Sequence, residues 1–513
     1  MDRWRQALWI LAASTMLRII LGAVVPLFPD EAYYWEWSRR LAGGYFDHAP
    51  MIAWLIAGGT SLLGDTPLGV RLFPILAGTF AGFWLIRAAC HLAGPAAARF
   101  AAILFAVLPL AAAGLVLATP DAPLLAFIAW TLYAVVRALG DEPRHTGWWL
   151  VAGLAIGFAM ASKFTGVFIP IAIVIAMVAH PRLRPSLATP GPWLAVAVAS
   201  LVMVPVLLWN AQHDWIAFRF QLGHGLGTTA RGSWYQRELE LIGGQVGLVT
   251  PILFVLVVGS VWRALKPGRD AEPVRFTLGV VAAFCAAFFV YSATRKSVEA
   301  NWPAIAVMPA LLLLASAREG ARTTWERRGV WLAGVLTALA LTHVVHPIFP
   351  LPARRDQVSK AHGWDALAAA VDSARRAIDS TAGSADDLVG AGSRAGAIVA
   401  TNRYQDAAML AFHLPGHPET FALNLGARRN QYDLWPRFFD RAAQGSTMLL
   451  VLDEPAEGVP GPIRRLDGHF ASMTAGPLIS LHRGDEYVGR RRLWTLDGWK
   501  GTWPADSTDP IRP

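Results

Sequence analysis

The sequence predicts a polytopic α-helical membrane protein of about eleven spans that carries a soluble C-terminal α/β domain. Three observations carry this reading. Hydrophobic residues make up 54% of the 513, charged residues only 16%, and the mean hydropathy is +0.40; a soluble domain averages about a quarter charged. The charge is unevenly spread. Residues 350–513 hold 19 basic and 19 acidic side chains, whereas the first 349 hold 26 basic and 17 acidic and so the whole net charge of +9. Finally, apolar runs long enough for the roughly 20 helical residues of a bilayer core recur along the first two thirds. Intrinsic disorder, a secreted disulfide scaffold and a purely soluble enzyme are excluded. So is nucleic-acid binding, because a basic excess confined to the membrane part is what the positive-inside rule produces. The two cysteines, Cys90 and Cys285, lie within apolar runs and suit neither a disulfide nor a thiolate metal site.

In chain order the apolar runs fall at about 8–28, 67–91, 97–117, 121–138, 147–161, 164–180, 192–210, 244–263, 274–293, 303–317 and 329–349. The count is eleven, within a range of nine to thirteen, since 147–161 and 164–180 are short enough to be one broken hairpin. With the N-terminus in the cytoplasm, every inside connection is basic. Examples are Arg87 with Arg99, Arg182 with Arg184, and the group Arg318, Arg322, Arg327 and Arg328. The short outside turns carry only Lys163, Arg295 and Lys296. The bias predicts a multi-pass membrane protein with its N-terminus inside and, after an odd number of spans, its C-terminal domain outside.

Two outside loops are long. The first, 29–66, contains an apolar stretch from Met51 to Leu63 that is too short to span and suits the interface. The second, 211–243, is rich in Trp, Phe and Gly and has the length of a functional lid. The membrane domain is thus expected over 1–349 and the soluble domain over 350–513. In the latter, Ala397–Thr401 and Met448–Leu452 read as strands, Asp365–Ile378 and Tyr404–Phe412 as helices.

Under one topology the ionisable residues near span ends gather on the outer face: Asp30, Glu31, Asp47, His48, Asp121, Lys163, Arg295, Lys296 and Glu299. Each has a plain structural alternative. Asp30, Glu31 and Asp121 suit helix N-termini, Asp47-His48 a self-capped turn, Lys163 a snorkelling anchor, and Arg295 with Lys296 a lipid headgroup site. The functional reading rests on their convergence. A carboxylate can take the proton of an attacking hydroxyl while cations neutralise a phosphate leaving group. Asp47 and His48 are also acceptable ligands for a divalent metal ion, the one candidate cofactor.

The motifs then resemble a known superfamily. Asp30-Glu-Ala-Tyr-Tyr-Trp-Glu-Trp-Ser and Gly44-Tyr-Phe-Asp-His-Ala-Pro-Met are similar to the first external loop of the integral-membrane glycosyltransferases that include protein O-mannosyltransferases and lipid A aminoarabinose transferases. Ala118-Thr-Pro-Asp-Ala-Pro-Leu, Ser162-Lys-Phe-Thr and Lys296-Ser-Val-Glu-Ala-Asn-Trp-Pro resemble later motifs of that group. Asn402-Arg-Tyr-Gln and Asn430-Gln-Tyr-Asp-Leu-Trp resemble its bacterial members more loosely.

The resemblance implies a GT-C fold, a polyprenyl-phosphate-linked sugar as donor, and a cell-envelope acceptor (lipid, glycan or protein) at the periplasmic face. It makes Asp30, Glu31 and Asp121 the candidate catalytic acids, with Asp30 as general base or acceptor-orienting acid. His48, Lys163, Lys296 and Arg295 become candidate phosphate-binding cations, and Tyr33, Glu299 and Asn301 candidate acceptor or loop contacts. Asp47-His48 stands where the aminoarabinose enzymes have Glu-Lys, and Ala49 interrupts their Pro-Pro. The expected reaction is inverting transfer from the carrier, with polyprenyl phosphate leaving. A transporter of lipid-linked sugars would instead place polar groups near the midplane of internal repeats, and a non-catalytic scaffold would leave the clustered outside acids without a reason.

Overall fold

The computed structural model describes residues 2–140, 146–227, 232–266, 272–317, 322–353, 355–386, 397–454 and 458–504. In chain order the helices are α1 (Arg3–Val24), α2 (Pro29–Ser38), α3 (Met51–Leu63), α4 (Pro67–Val107), α5 (Pro109–Ala112), α6 (Asp121–Gly140), α7 (Thr146–Ser162), α8 (Phe168–Ala179), α9 (Pro190–Gln212), α10 (Ile216–Leu226), α11 (Trp234–Val249), α12 (Pro251–Leu265), α13 (Pro273–Arg295), α14 (Ala304–Ala315) and α15 (Thr324–Val345). A second series follows: α16 (Trp364–Asp386), β1 (Ile398–Thr401), α17 (Tyr404–His413), β2 (Phe421–Ala422), α18 (Phe438–Arg441), β3 (Met448–Asp453), α19 (Gly461–Leu466), β4 (Phe470–Arg483) and β5 (Glu486–Trp499). They form two compact units. One comprises Met1–Val25 and Leu41–Ile348, the other Pro26–Arg40 and Phe349–Pro513.

The first unit is the membrane unit. Among the described residues six helices are long and apolar enough to cross a bilayer, and a seventh span exists if α11 and α12, bent by 102° at Thr250, are counted together. The break in α4 at Ala93–Gly94, where Gly94 takes a φ of +74°, falls between the runs expected at 67–91 and 97–117. The runs at 147–161, 164–180 and 303–317 become α7, α8 and α14, of 17, 12 and 12 residues, which are short of a full bilayer crossing. Every residue of α14 is buried, which explains its all-round apolarity: it is an inner helix. α4 packs against α1, α3, α6 and α14, and α7 against α6 and α9. The 211–243 stretch is not a bare loop, because it contains α10 and the start of α11.

The second unit is α/β, as expected, with one five-stranded sheet in the order β2-β1-β3-β5-β4. β1 runs parallel to β2 and β3, with Val399 opposite Leu449, and the β4–β5 hairpin adds antiparallel to β3. The hairpin turns at Gly484, φ +57°, which a residue without a Cβ adopts at little cost. Its core gathers Met448, Leu450, Phe438, Phe470 and Leu496. The outcome that the charge arithmetic did not foresee is the membership of Pro26–Arg40. This N-terminal segment belongs to the α/β unit although more than 300 residues separate it from the rest.

Candidate functional site

The predicted site residues fall into two groups, each built within one unit. In the membrane unit, Asp121 starts α6 and Lys163 follows the last turn of α7. They form an ion pair of 2.8 Å, with side chains only 12% and 11% exposed. The other Asp121 oxygen accepts from the Asn301 amide at 2.5 Å, and the Lys163 ammonium lies 6.0 Å from the Trp302 ring centre. The Thr-Pro-Asp, Ser-Lys-Phe-Thr and Asn-Trp-Pro motifs, separated by 42 and 180 residues from Asp121 outward, therefore meet at one point. Lys163 and Asp121 compensate each other there, so neither is a lone charge.

The Asp47-His48 turn is the second element of this group. Its backbone closes through Tyr45 N–H to the His48 carbonyl at 3.2 Å, and the Gln221 amide of α10 donates to the Asp47 carbonyl and lies 3.5 Å from His48 Nδ1. Two glycines set the turn against α9. A Cβ at Gly43 would come 2.5 Å from the Pro205 carbonyl oxygen, and one at Gly44 would come 2.6 Å from the Trp209 ring. Asp47 is buried and His48 half-buried. Lys296 and Arg295 lie at the C-terminal end of α13, with Arg295 donating to the Tyr291 hydroxyl at 3.3 Å. Glu299 is exposed, and its carbonyl accepts from Trp302 N–H. Sequence reasoning missed Arg237. This buried arginine of α11 donates to the carbonyls of Ala293, at 2.9 Å, and Thr294, at 2.6 Å, and so fastens the end of α13 from which Lys296 emerges.

The second group is in the α/β unit. α2 begins at Pro29 and places Asp30 and Glu31 in its first turn, where the positive end of the helix favours acids. Glu31 is buried and accepts from Phe28 N–H at 3.0 Å, half of a capping box. Asp30, one residue earlier, is exposed yet crowded enough that desolvation raises its carboxyl above the ordinary aspartate range, against Lys360, a hydrogen bond from Gln405 and Arg428, which oppose it. Tyr33 packs on Tyr404 with ring centres 4.4 Å apart and planes tilted by 48°, lies near-parallel to Tyr432 at 6.0 Å, and its hydroxyl accepts from Gln431 N–H at 2.7 Å. The helix thus binds together the two later motifs, Asn402-Arg-Tyr-Gln and Asn430-Gln-Tyr-Asp. Tyr33 is an organising residue of the unit by this geometry. Gln405 closes the Asn402-Arg-Tyr-Gln motif, whereas Lys360 and Arg428, which also act on the Asp30 carboxyl, were not singled out by the sequence, since nothing local marks them.

Among the described residues no three His, Cys, Asp or Glu side chains gather at metal-ligand spacing. Asp47 and His48 therefore offer a divalent ion two side-chain ligands of these types, too few to hold it without further oxygen donors.

The comparisons with known proteins agree with this architecture. Residues 47–209 match the family model described as dolichyl-phosphate-mannose-protein mannosyltransferase. The lipid A galacturonosyltransferase RgtD of Rhizobium johnstonii is 30% identical over 354 residues, which are 68% of this chain and 71% of that protein. The fold is similar to that of ArnT from Cupriavidus metallidurans, both in the apo state (TM-score 0.61) and bound to undecaprenyl phosphate (TM-score 0.63). Identity is 16% in each case, with 95% of this chain and 97% of that chain covered. A more distant likeness is to the Archaeoglobus fulgidus oligosaccharyltransferase tethered with an acceptor peptide, with TM-score 0.51 and 12% identity over 87% of this chain and 69% of that one. With its apolar helical unit, its α/β unit and the motifs that each of them assembles, the chain belongs to the integral-membrane glycosyltransferases of the GT-C superfamily, the group of the protein O-mannosyltransferases and the lipid A glycosyltransferases.

Proposed function

We propose that this glycosyltransferase moves a sugar from a polyprenyl-phosphate carrier to a lipid acceptor of the lipid A class at the periplasmic face. The acceptor oxygen attacks the anomeric carbon and its proton passes to Asp30. A carbon–oxygen bond to the acceptor forms as the bond to phosphate breaks, polyprenyl phosphate leaves, and the configuration inverts. The observation that carries the reading is Asp30 itself, an accessible carboxylate whose desolvated setting makes it a better proton acceptor than an ordinary aspartate. The relatives support the substrates: one is a lipid A galacturonosyltransferase, and a structural neighbour is bound to undecaprenyl phosphate.

The remaining roles follow charge. Lys163 is compensated by Asp121, so in this proposal the pair holds the Asn301 loop in place, and His48, Lys296 and Arg295 answer the donor phosphate. Glu31 serves α2 as its cap. The purified full-length protein should transfer radiolabel from a polyprenyl-phosphate sugar to lipid A in detergent or nanodiscs. No transfer from any such donor, with free polyprenyl phosphate never released, would overturn the proposal.

A further inference from the structure

The α/β unit carries a cleft that no step of the proposed transfer uses. It opens beside β2, the edge strand of the sheet, and measures about 400 Å³ including the solvent at its mouth. Three stretches distant in sequence build it: residues 421–424, which leave β2; residues 432–433 and 436–439, which lead into α18; and Trp503, which follows β5.

One wall is aromatic. The Trp503 ring packs against Phe438, with centres 5.5 Å apart, and against Phe439 at 5.6 Å. Phe438 is buried in the core under the sheet, so the half-buried indole rests on a fixed base. The Arg437 guanidinium already lies 4.5 Å from the Phe439 ring centre, which leaves Trp503 as the ring for a ligand. The opposite side is polar. The Asn424 amide donates to the Asp433 carboxylate at 3.0 Å. Each partner is held by a second bond: Ala427 N–H donates to the Asn424 side-chain oxygen at 3.1 Å, and Asn430 N–H to the other Asp433 oxygen at 2.8 Å.

Those bonds do not exhaust the pair. An amide nitrogen carries two hydrogens, and an ionised carboxylate accepts at about four positions. Asn424 therefore keeps one N–H to give, and each Asp433 oxygen keeps room to accept. Closing the turn at Asn430 explains one oxygen of Asp433, but neither Asn424 nor the aromatic wall. A fixed donor and acceptor side by side, facing an indole, match a ring with vicinal hydroxyls and an apolar C–H face. A wholly apolar ligand would leave the polar pair unanswered, and an anion would meet the Asp433 carboxylate.

We infer that this is a carbohydrate-binding cleft that takes one pyranose ring of an envelope glycan, with Trp503 as the stacking surface and Asn424 with Asp433 as the pair that reads its hydroxyls. It is a binding site apart from the residues assigned to the transfer chemistry.

The test is direct binding to the full-length protein in nanodiscs, free of sugar-based detergent, with methyl pyranosides (glucoside, galactoside and N-acetylglucosaminide) as probes and saturation-transfer NMR as the readout. The wild type should bind at least one of them saturably. Trp503→Leu, which still covers Phe438, should weaken that binding by about fivefold or more, while Trp503→Phe should keep most of it. Asp433→Asn, which retains an oxygen for Asn430 N–H, should weaken it by a similar factor. The split between leucine and phenylalanine at one position separates recognition from folding, since both are apolar fillers. No saturable binding of any probe by the wild type overturns the cleft. So does binding that persists undiminished in both Trp503→Leu and Asp433→Asn, which would put the sugar elsewhere on the protein. None of these readings needs turnover, so a failure of the proposed transfer reaction is a separate result.

Discussion

At the scale of single residues, the proposed chemistry turns on one raised carboxyl, and one compensated pair positions the loop that carries Asn301. Asp30→Asn keeps the volume but cannot accept a proton, so kcat should fall by roughly 10²–10⁴ while the protein still folds and binds donor. The pH profile carries the sign. Asp30 acts as a base only when ionised, and desolvation raises its pKa against the pull of Lys360, Gln405 and Arg428. The acid limb of kcat/KM should therefore rise with pH at a midpoint above the usual aspartate value of about 3.9, and it should vanish from the residual activity of Asp30→Asn. A wild type with no such limb would show that Asp30 is only a helix-end acid. For the Asp121–Lys163 pair the expectation concerns stability. Lys163→Met strands a buried carboxylate and should cost about 3–5 kcal/mol in thermal or denaturant unfolding. Adding Asp121→Asn should recover much of that loss, which a lysine acting on its own would not permit.

Among elements, α2 is the decisive one. Trp35 is fully buried, edge-on to Phe412 at 5.1 Å, with the Arg39 guanidinium 4.7 Å above it. Arg40 binds Glu419 at 2.7 Å, and the buried Glu36 answers both arginines. Trp35→Ala should destabilise the α/β unit by roughly 3–5 kcal/mol, read as increased protease cutting around β1 and α17; unchanged cutting would make the helix a passive passenger. The helix was legible from its Pro-Asp-Glu start, but its partners were not, since the aromatic run Tyr-Tyr-Trp-Glu-Trp reads equally well as an interfacial anchor. Strands β1 and β3 were legible as short apolar runs between turns. The β4–β5 hairpin was not, because much of β4 is exposed and its sequence lacks a clean alternation. In the membrane unit Asp121, Lys163 and Asn301 were visible one by one. Their meeting was not, because it depends on contacts across 42 and 180 residues.

For the whole molecule, the prediction concerns orientation across the bilayer. The basic inside loops predict that the α/β unit lies in the periplasm. In a background free of Cys90 and Cys285, cysteines placed at the exposed Ser380 and Asp65 should label with an impermeant reagent in intact spheroplasts, and one at the exposed Lys266 only after lysis. Labelling in the reverse pattern would invert the topology. The two-part organisation itself was plain from charge density, because burial in lipid and burial in a soluble core select different compositions. The division of the first long loop between the two units was hidden, since a fifteen-residue segment is too short to have a composition of its own.

That division governs the order in which the protein can be made. Pro26–Arg40 leaves the ribosome early, but Phe412 of α17 and His417, against which Trp35 packs, are synthesised only after the membrane helices described above. Until then Trp35 lacks the cover it has in the finished protein, a state that invites chaperones and proteases. Closure of the α/β unit is thus a report that synthesis has passed beyond the membrane unit. A chain stopped at residue 348 should be inserted yet short-lived in pulse-chase labelling, and supplying residues 349–513 as a separate periplasmic polypeptide should lengthen its half-life. The same polypeptide expressed alone should be protease-sensitive until a peptide of residues 26–40 is added; resistance without the peptide would mean that the early segment is dispensable to the late fold.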